Sequence, residues 1–117
     1  MRFVSQALHA YIDYPVALGL IAMPAILGLM PLAMGLSVAA GLAALLLTAL
    51  TDHETGVIRV LPYKMHLAVD ALVGMAFLAA PVVFGLHGID AAYFLVVGVT
   101  VLLMIAAHRP DSTMSVA

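Results

Sequence analysis

The chain of 117 residues contains no cysteine and very little charge. The absence of cysteine excludes a disulfide framework and a thiolate metal site. Charged residues make up 9% of the chain and hydrophobic residues 66%, whereas soluble domains are about 25% charged and about 45–50% apolar. A water-soluble fold of this length could not bury so much apolar surface. The composition therefore predicts an integral membrane protein, and we expect no nucleic-acid partner.

Long runs without charge divide the chain into four candidate membrane spans. Residues 14–51 carry no charged side chain, and this run accounts for two spans because a bilayer core takes about 20 helical residues to cross. Pro31 and its flanking glycines, in GLMPLAMG, predict the turn between them. The second half repeats the arrangement around HGID. We predict four transmembrane helices, near 4–29, 32–51, 62–86 and 90–108.

The two halves of the chain are related by a shift of 57 residues without a gap. Both halves contain the pattern R-x6-H-x3-D-x10-P-x3-G-x12-G, and its arginine, histidine, aspartate and proline are rare in this composition. Because four rare matches share one register, we interpret the chain as a tandem duplication. The equivalent residues are Arg2 and Arg59, His9 and His66, Asp13 and Asp70, Pro24 and Pro81, Gly28 and Gly85, and Gly41 and Gly98.

Each unit of the duplication contains two helices, so both units enter the membrane in the same direction. The units should then be related by a pseudo-two-fold axis along the membrane normal. We therefore predict an all-α membrane protein whose four transmembrane helices form two tandem helical-hairpin repeats. The first two-helix repeat is predicted at 1–57, the second at 58–109, and a disordered tail at 110–117.

Basic residues predict the orientation of the spans. Arg2, Arg59, Lys64 and Arg109 lie at the N-terminus, between the two units or in the C-terminal tail, which share one side. The two turns on the other side contain neither arginine nor lysine, and basic residues are enriched on the cytoplasmic side of membrane proteins. We therefore expect a multi-pass protein of the cell (inner) membrane with both termini in the cytoplasm.

Each unit places an H-x3-D motif about two turns inside its first span. Residues four apart lie on one face of a helix, so His9 pairs with Asp13 and His66 pairs with Asp70. An ionisable residue inside a membrane costs about 2.5–3.5 kcal/mol on insertion scales and usually faces the bundle interior. We therefore predict that these four side chains form one symmetric site in the cytoplasmic leaflet.

Several functions fit this site. Its side chains could join the units by hydrogen bonds and ion pairs, as in a structural or accessory subunit or a self-associating scaffold. They could instead bind a transition metal such as zinc or non-haem iron. His9 and His66 could also be the axial ligands of a b-type haem, or the acid–base groups of a membrane enzyme or proton relay. Arg2 and Arg59 could bind an anion or a lipid headgroup.

The sequence favours a non-enzymatic role. It contains no nucleophile elbow, phosphate loop or paired-carboxylate signature, so we assign no catalytic residue. The loops are too short for a soluble domain, and a bundle this small exposes apolar surface that a partner could cover. We therefore expect its partners to be the lipid bilayer together with other membrane subunits or further copies of the chain.

Other repeated residues indicate packing. Gly41 and Gly98 predict close contact between helices. The proline of the P-x3-G element predicts a kink or local widening in the first helix of each unit. The four tyrosines lie near the ends of the spans, where interfacial aromatic residues are common.

The unit HAYIDYPVALGLIAMPAILGL and its partner HLAVDALVGMAFLAAPVVFGL resemble the SPW-repeat family of small bacterial membrane proteins. Members of that family have a two-helix unit with an acidic residue near its start, a central proline motif, a following glycine and a second apolar helix. This chain reads MPA at 23–25 and APV at 80–82, without the serine or tryptophan of the naming motif. The resemblance covers most of residues 5–108. It implies an integral membrane protein and assigns no chemistry.

Overall fold

A computed structural model of the chain describes residues 5–52 and 56–107. The regular structure within these ranges is helical. The four helices are α1 (Gln6–Leu27), α2 (Pro31–Leu50), α3 (Tyr63–Val83) and α4 (Gly88–Ala106). Each helix is long and apolar enough to cross a membrane. The predicted fold of four membrane-spanning helices is therefore confirmed.

The repeated P-x3-G element ends the first helix of each unit. At the end of α1, Gly28 is left-handed with a φ of 67°, and the Leu29 N–H donates to the Pro24 carbonyl over 3.0 Å. Gly85 follows α3 with a φ of 65° and an equivalent bond of 2.9 Å. This is the Schellman pattern, in which glycine is favoured because it has no Cβ. The element thus produces a helix end, and α3 stops at Val83, three residues before its predicted end. The kink predicted at the proline stays a prediction.

The helices pack as two hairpins, α1 along α2 and α3 along α4. Equivalent glycines allow the close approach within each hairpin. A Cβ on Gly41 would lie 2.7 Å from Ile21 Cγ1, and a Cβ on Gly98 would lie 2.8 Å from Leu78 Cδ2. The predicted close contacts at these glycines are therefore confirmed. The backbones of the two hairpins approach each other closely at few points among the described residues, so side chains make most of the contact between the hairpins.

A hydrophobic core lies toward the end of the molecule that carries the two short turns. Phe94 is buried and stacks on Phe77, with ring centroids 4.7 Å apart. Because lipid is as apolar as these side chains, close packing rather than exclusion of water stabilises such a core in a membrane. All four helices and both turns contribute its buried residues, namely Leu20, Leu29, Ala33, Phe77, Ala80, Leu86, Tyr93 and Phe94.

Two hydrogen bonds connect the hairpins at the same end. The Ser37 hydroxyl donates to the Leu20 carbonyl over 2.8 Å, so the Tyr93 hydroxyl must donate to Ser37 Oγ, 2.6 Å away. The Met30 N–H donates to Asp90 Oδ1 over 2.9 Å. Tyr93 is buried between the hairpins and, like Tyr63, does not present its ring to the lipid.

The outward faces of the helices carry large apolar side chains. Val82 is 87% exposed and Ile26 is 72% exposed. Such surfaces require an apolar solvent, and the four spans show that this solvent is lipid. The protein is therefore a multi-pass membrane protein in contact with the bilayer.

The connection between the hairpins begins directly after α2. Thr51 and Leu61 form an isolated parallel β-bridge, and the Asp52 N–H donates to the Leu61 carbonyl over 2.8 Å. These contacts hold the end of α2 beside the start of α3. The predicted boundary between the repeats, after residue 57, lies in this connection.

Candidate functional site

Four ionisable side chains from α1 and α3 meet between the two hairpins. His9 and Asp13 lie one turn apart on α1, and His66 and Asp70 lie one turn apart on α3. Taking one nitrogen or carboxylate oxygen from each residue, these atoms all lie within 4.8 Å of one another. We call these four residues the His/Asp cluster. The structure thus brings together the four residues that the sequence proposed as a metal site.

The contacts within the His/Asp cluster are reciprocal. On α1, His9 Nε2 lies 3.1 Å from Asp13 Oδ1, and on α3, His66 Nε2 lies 3.2 Å from Asp70 Oδ2. Between the hairpins, His9 Nε2 lies 3.3 Å from Asp70 Oδ2. Also between the hairpins, His66 Nε2 on α3 lies 3.2 Å from Asp13 Oδ2 on α1. Each imidazole therefore faces one carboxylate from each repeat, as pseudo-two-fold symmetry requires.

The histidines of the His/Asp cluster are buried within the membrane-spanning helices, and its aspartates are partly buried. The side chains of His9 and His66 are 3% and 1% exposed, and those of Asp13 and Asp70 are 11% and 20% exposed. Water is scarce at such a site, so its charge must be balanced locally. Two carboxylates can be balanced either by two protons on the imidazoles or by one divalent cation.

Thr51 orients one of the two histidines. Its hydroxyl, which is fully buried, donates to the Leu47 carbonyl and also lies 2.7 Å from His66 Nδ1. The hydroxyl has a single hydrogen, which it donates to Leu47. In the bond to His66 the hydroxyl oxygen must therefore accept, and the imidazole donates from Nδ1. Nε2 of the same ring is then directed at the carboxylates. A partner of this kind fixes the ring orientation of many metal-binding histidines.

The two histidines share Tyr63 as a neighbour, with its ring centroid 6.1 Å from that of His66. The ring of His9 makes edge-to-face contacts with Tyr63 and with His66, each with centroids 5.9 Å apart. A shift by one repeat from Tyr63 leads to Gln6, and a shift from Thr51 leads to His108, which lies outside the described residues. The tyrosine and threonine are thus not duplicated, and the symmetry of the cluster does not extend to them.

A cavity of about 290 Å³ lies between the hairpins, with the His/Asp cluster at one end. On α1 its wall extends from His9 to Met23, which is about 20 Å along a helix. Equivalent residues of the two repeats line it, including Val16 with Val73 and Ala40 with Val97. The cavity therefore follows the pseudo-two-fold axis between the repeats.

The two arginines that are predicted to bind an anion or a lipid headgroup are not seen at this site. Arg59 is exposed in the connection between the hairpins, where its Nε donates to the Gly56 carbonyl over 3.4 Å. It is not among the residues that line the cavity. Arg2 and the predicted tail at 110–117 lie outside the described residues.

Sequence reasoning missed Thr51 and the cavity. Thr51 follows the last residue of α2, and a polar residue that ends an apolar run is a weak signal. Thr51 and His66 are fifteen residues apart in the sequence, and they come into contact only because the connection folds back after α2. The cavity depends on the spacing between hairpins, for which the sequence contains no local pattern.

Comparisons with known protein families, with curated proteins and with solved structures found no match. The resemblance to the SPW-repeat family thus rests on the two unit sequences alone and stays a prediction. The fold and the site together define the protein as a multi-pass membrane protein of two helical hairpins. A buried His/Asp cluster lies between those hairpins.

Proposed function

We propose that this protein binds one divalent transition-metal ion, such as zinc or ferrous iron, at the His/Asp cluster within the membrane. The observation that carries the proposal is that two imidazole nitrogens and two carboxylate oxygens lie within 4.8 Å of one another between the hairpins. The four nitrogen–oxygen distances are 3.1, 3.3, 3.2 and 3.2 Å. These contacts involve both oxygens of Asp13 and one oxygen of Asp70. Each distance is of the size of the roughly 3.3 Å between neighbouring ligands of a tetrahedral ion with bonds of about 2.0–2.1 Å.

The net charge of the His/Asp cluster also supports the binding of a divalent ion. Two neutral histidines and two carboxylates carry a charge of −2, which one divalent ion would neutralise. A neutral site is far less costly in the membrane than a charged one. Nitrogen and oxygen ligands also suit zinc and iron better than they suit cuprous copper, which prefers sulfur.

The geometry favours a bare ion over the b-type haem considered from the sequence. The two imidazole rings are nearly perpendicular, with centroids 5.9 Å apart. His9 Nε2 and His66 Nε2 both lie within 3.3 Å of the same oxygen of Asp70. A porphyrin between the histidines would have to pass through the position of that carboxylate.

The alternative function is a structural one. The same distances suit charge-assisted hydrogen bonds, which would join the two hairpins without an ion. The protein would then be a structural or accessory subunit, or a self-associating scaffold, of a membrane assembly. The cluster would join the hairpins at the end opposite to the hydrophobic core that both hairpins share.

Metal analysis of the purified protein tests the proposal. The protein is prepared in detergent with a tag that lacks histidine, incubated with Zn²⁺ or Fe²⁺, freed of excess ion, and analysed by mass spectrometry of the elements. We expect about one equivalent per chain, as a four-ligand site implies. The His9→Ala and His66→Ala variants should lose it, because each lacks one of the four ligands. His87→Ala is the control, since His87 is exposed and precedes α4, away from the cluster.

Cobalt provides a second measurement. Co²⁺ bound in a site of four nitrogen and oxygen ligands should give visible absorption bands that disappear in the His66→Ala variant. A wild-type protein that takes up none of the three ions would contradict the metal proposal. That result would favour the structural alternative.

We also propose that the protein lies in the inner membrane with both termini in the cytoplasm. The support is the position of the basic residues. Arg59 and Lys64 are exposed at the end of the molecule that contains the start of α1 and α3, and basic residues are enriched on the cytoplasmic side. The His/Asp cluster would then lie in the cytoplasmic leaflet.

A further inference from the structure

The cavity between the hairpins extends well beyond the four residues that a metal ion would use. Small residues keep it open along its length. Gly19, Ala40, Ala43 and Ala44 all belong to its wall, and a Cβ added to Gly19 would meet no atom within 4 Å. The space is therefore a long, narrow and only partly enclosed slot within the bilayer.

Away from the His/Asp cluster, the wall offers apolar contacts. Three other polar side chains belong to the described lining, and all three hydroxyls have protein partners. Thr48 donates to the Ala44 carbonyl over 2.8 Å, and Thr100 donates to the Val96 carbonyl over 2.7 Å. Tyr93 is bonded to Ser37. The cluster is therefore the polar end of an otherwise apolar cavity.

We propose that this cavity binds a linear amphiphile from the bilayer, a long-chain molecule with a small uncharged oxygen end group, such as a long-chain alcohol. Its chain lies along the apolar wall, and its oxygen meets the His/Asp cluster. Sites for small molecules commonly combine a mainly apolar wall with a few convergent polar groups. The position of the cavity within the spans makes the lipid phase the source of the ligand.

The charge of the cluster selects an uncharged end group. The cluster is neutral with two imidazole protons or with one divalent ion, so a charged headgroup would leave an unbalanced charge in the membrane. A hydroxyl can donate to a carboxylate or bind an ion through its oxygen without changing the net charge. The inference therefore holds with or without the metal.

Photolabelling tests the proposal. The probe is hexadecanol with a diazirine in its chain, added to chelator-treated protein in phosphatidylcholine nanodiscs, and adducts are located by peptide mass spectrometry. Chelation makes the result independent of metal binding. We expect saturable labelling of residues in the cavity wall, reduced by excess hexadecanol and not by palmitate, which carries a charge.

A variant whose added side chain fills the cavity is compared with a matched variant on the exposed face of the same helix. Gly19→Leu places a side chain in the slot and should lower cavity labelling about tenfold, because leucine occupies the volume of several chain methylenes. Ala22→Leu adds bulk to an exposed position on the same helix and should label like wild type. Ala44→Leu and the exposed Ala39→Leu repeat the comparison on α2, in case the α1 variant fails to fold.

Three results would overturn the inference. One is equal labelling of the Gly19→Leu and Ala22→Leu proteins. Another is labelling spread over lipid-facing residues with no preference for the cavity wall. The third is competition by palmitate as strong as that by hexadecanol, which would show that the end group is not selected by charge.

Discussion

The hydroxyl group of Thr51 orients a histidine of the duplicated site. Thr51 accepts a hydrogen bond from His66, and the ring of Tyr63 lies beside both histidines. A histidine whose Nδ1 donates to a fixed acceptor has its Nε2 held ready for a ligand. The bond to Thr51 therefore holds Nε2 of His66 toward the carboxylates.

A change of Thr51 should weaken metal binding without removing a ligand. Thr51→Val keeps the shape of the side chain and removes the hydroxyl, so we expect affinity for Zn²⁺ to fall by about 10–100-fold, the usual effect of losing such a partner. Thr51→Ser should retain most of the affinity. Competition with a zinc-sensitive dye measures all three proteins.

Thr48→Val is the control for this comparison. Thr48 is also buried near the end of α2, but its hydroxyl donates to the Ala44 carbonyl of its own helix. An equal loss of affinity in the Thr48→Val and Thr51→Val proteins would mean that the bond to His66 has no specific role.

At the scale of the helix, the duplication preserves contacts as well as residues. A Cβ on Gly41 would lie 2.9 Å from the Ala17 carbonyl oxygen, and a Cβ on Gly98 would lie 2.9 Å from that of Gly74. Ala17 and Gly74 are themselves equivalent in the repeat. Each hairpin is therefore held by the same close approach of two backbones.

Gly41→Ala should destabilise the protein, because the added methyl group meets backbone atoms that cannot move independently. Overpacking of this kind costs about 1–3 kcal/mol. Gly35→Ala, in the same helix, adds its methyl group where no atom lies within 4 Å. It should be neutral or stabilising, since alanine is favoured over glycine in helices by about 1 kcal/mol.

Unfolding of the two variants by sodium dodecyl sulfate in mixed micelles, followed by circular dichroism, provides the measurement. A Gly41→Ala protein as stable as the Gly35→Ala protein would contradict the close helix contact. Gly98→Ala should behave like Gly41→Ala, because the equivalent contact exists in the second hairpin.

At the scale of the whole molecule, polar contacts at both ends connect two hairpins that are separated by a cavity between them. The His/Asp cluster lies at one end, and the bond from Tyr93 to Ser37 lies toward the other. Interhelical polar contacts in membranes contribute about 0.6 kcal/mol each on average. Polar contacts of this strength can set the register of the hairpins while the cavity between them stays open.

The orientation of the molecule can be measured with single cysteines, since the natural chain has none. Val57 is 77% exposed in the connection between the hairpins, and His87 is exposed in the turn at the opposite end. We expect a membrane-impermeant maleimide to label His87→Cys in intact spheroplasts. Val57→Cys should react only after the membrane is permeabilised. The reverse pattern would overturn the proposed cytoplasmic termini.

Much of the fold was predictable from sequence because its main signals are local or repeated. Hydropathy placed the four spans, and the 57-residue shift related Gly41 to Gly98 before any contact was known. The Schellman ends were missed, although Gly28 and Gly85 were identified, because proline suggested a kink more strongly than a helix end. The burial of Tyr63 and Tyr93 could not be predicted because position in a span does not show which way a side chain faces.

The sequence by itself determined that this chain crosses a membrane four times and that each repeat places histidine and aspartate on one helical face. The number of spans follows from the composition, and the shared helical face follows from a separation of four residues along the sequence. Only the tertiary structure decided that His9 lies 3.3 Å from Asp70, that Thr51 orients His66, and that a 290 Å³ cavity separates the hairpins. The physical reason is that these distances depend on how two hairpins pack against each other, and packing in lipid follows from shape complementarity that no short pattern encodes.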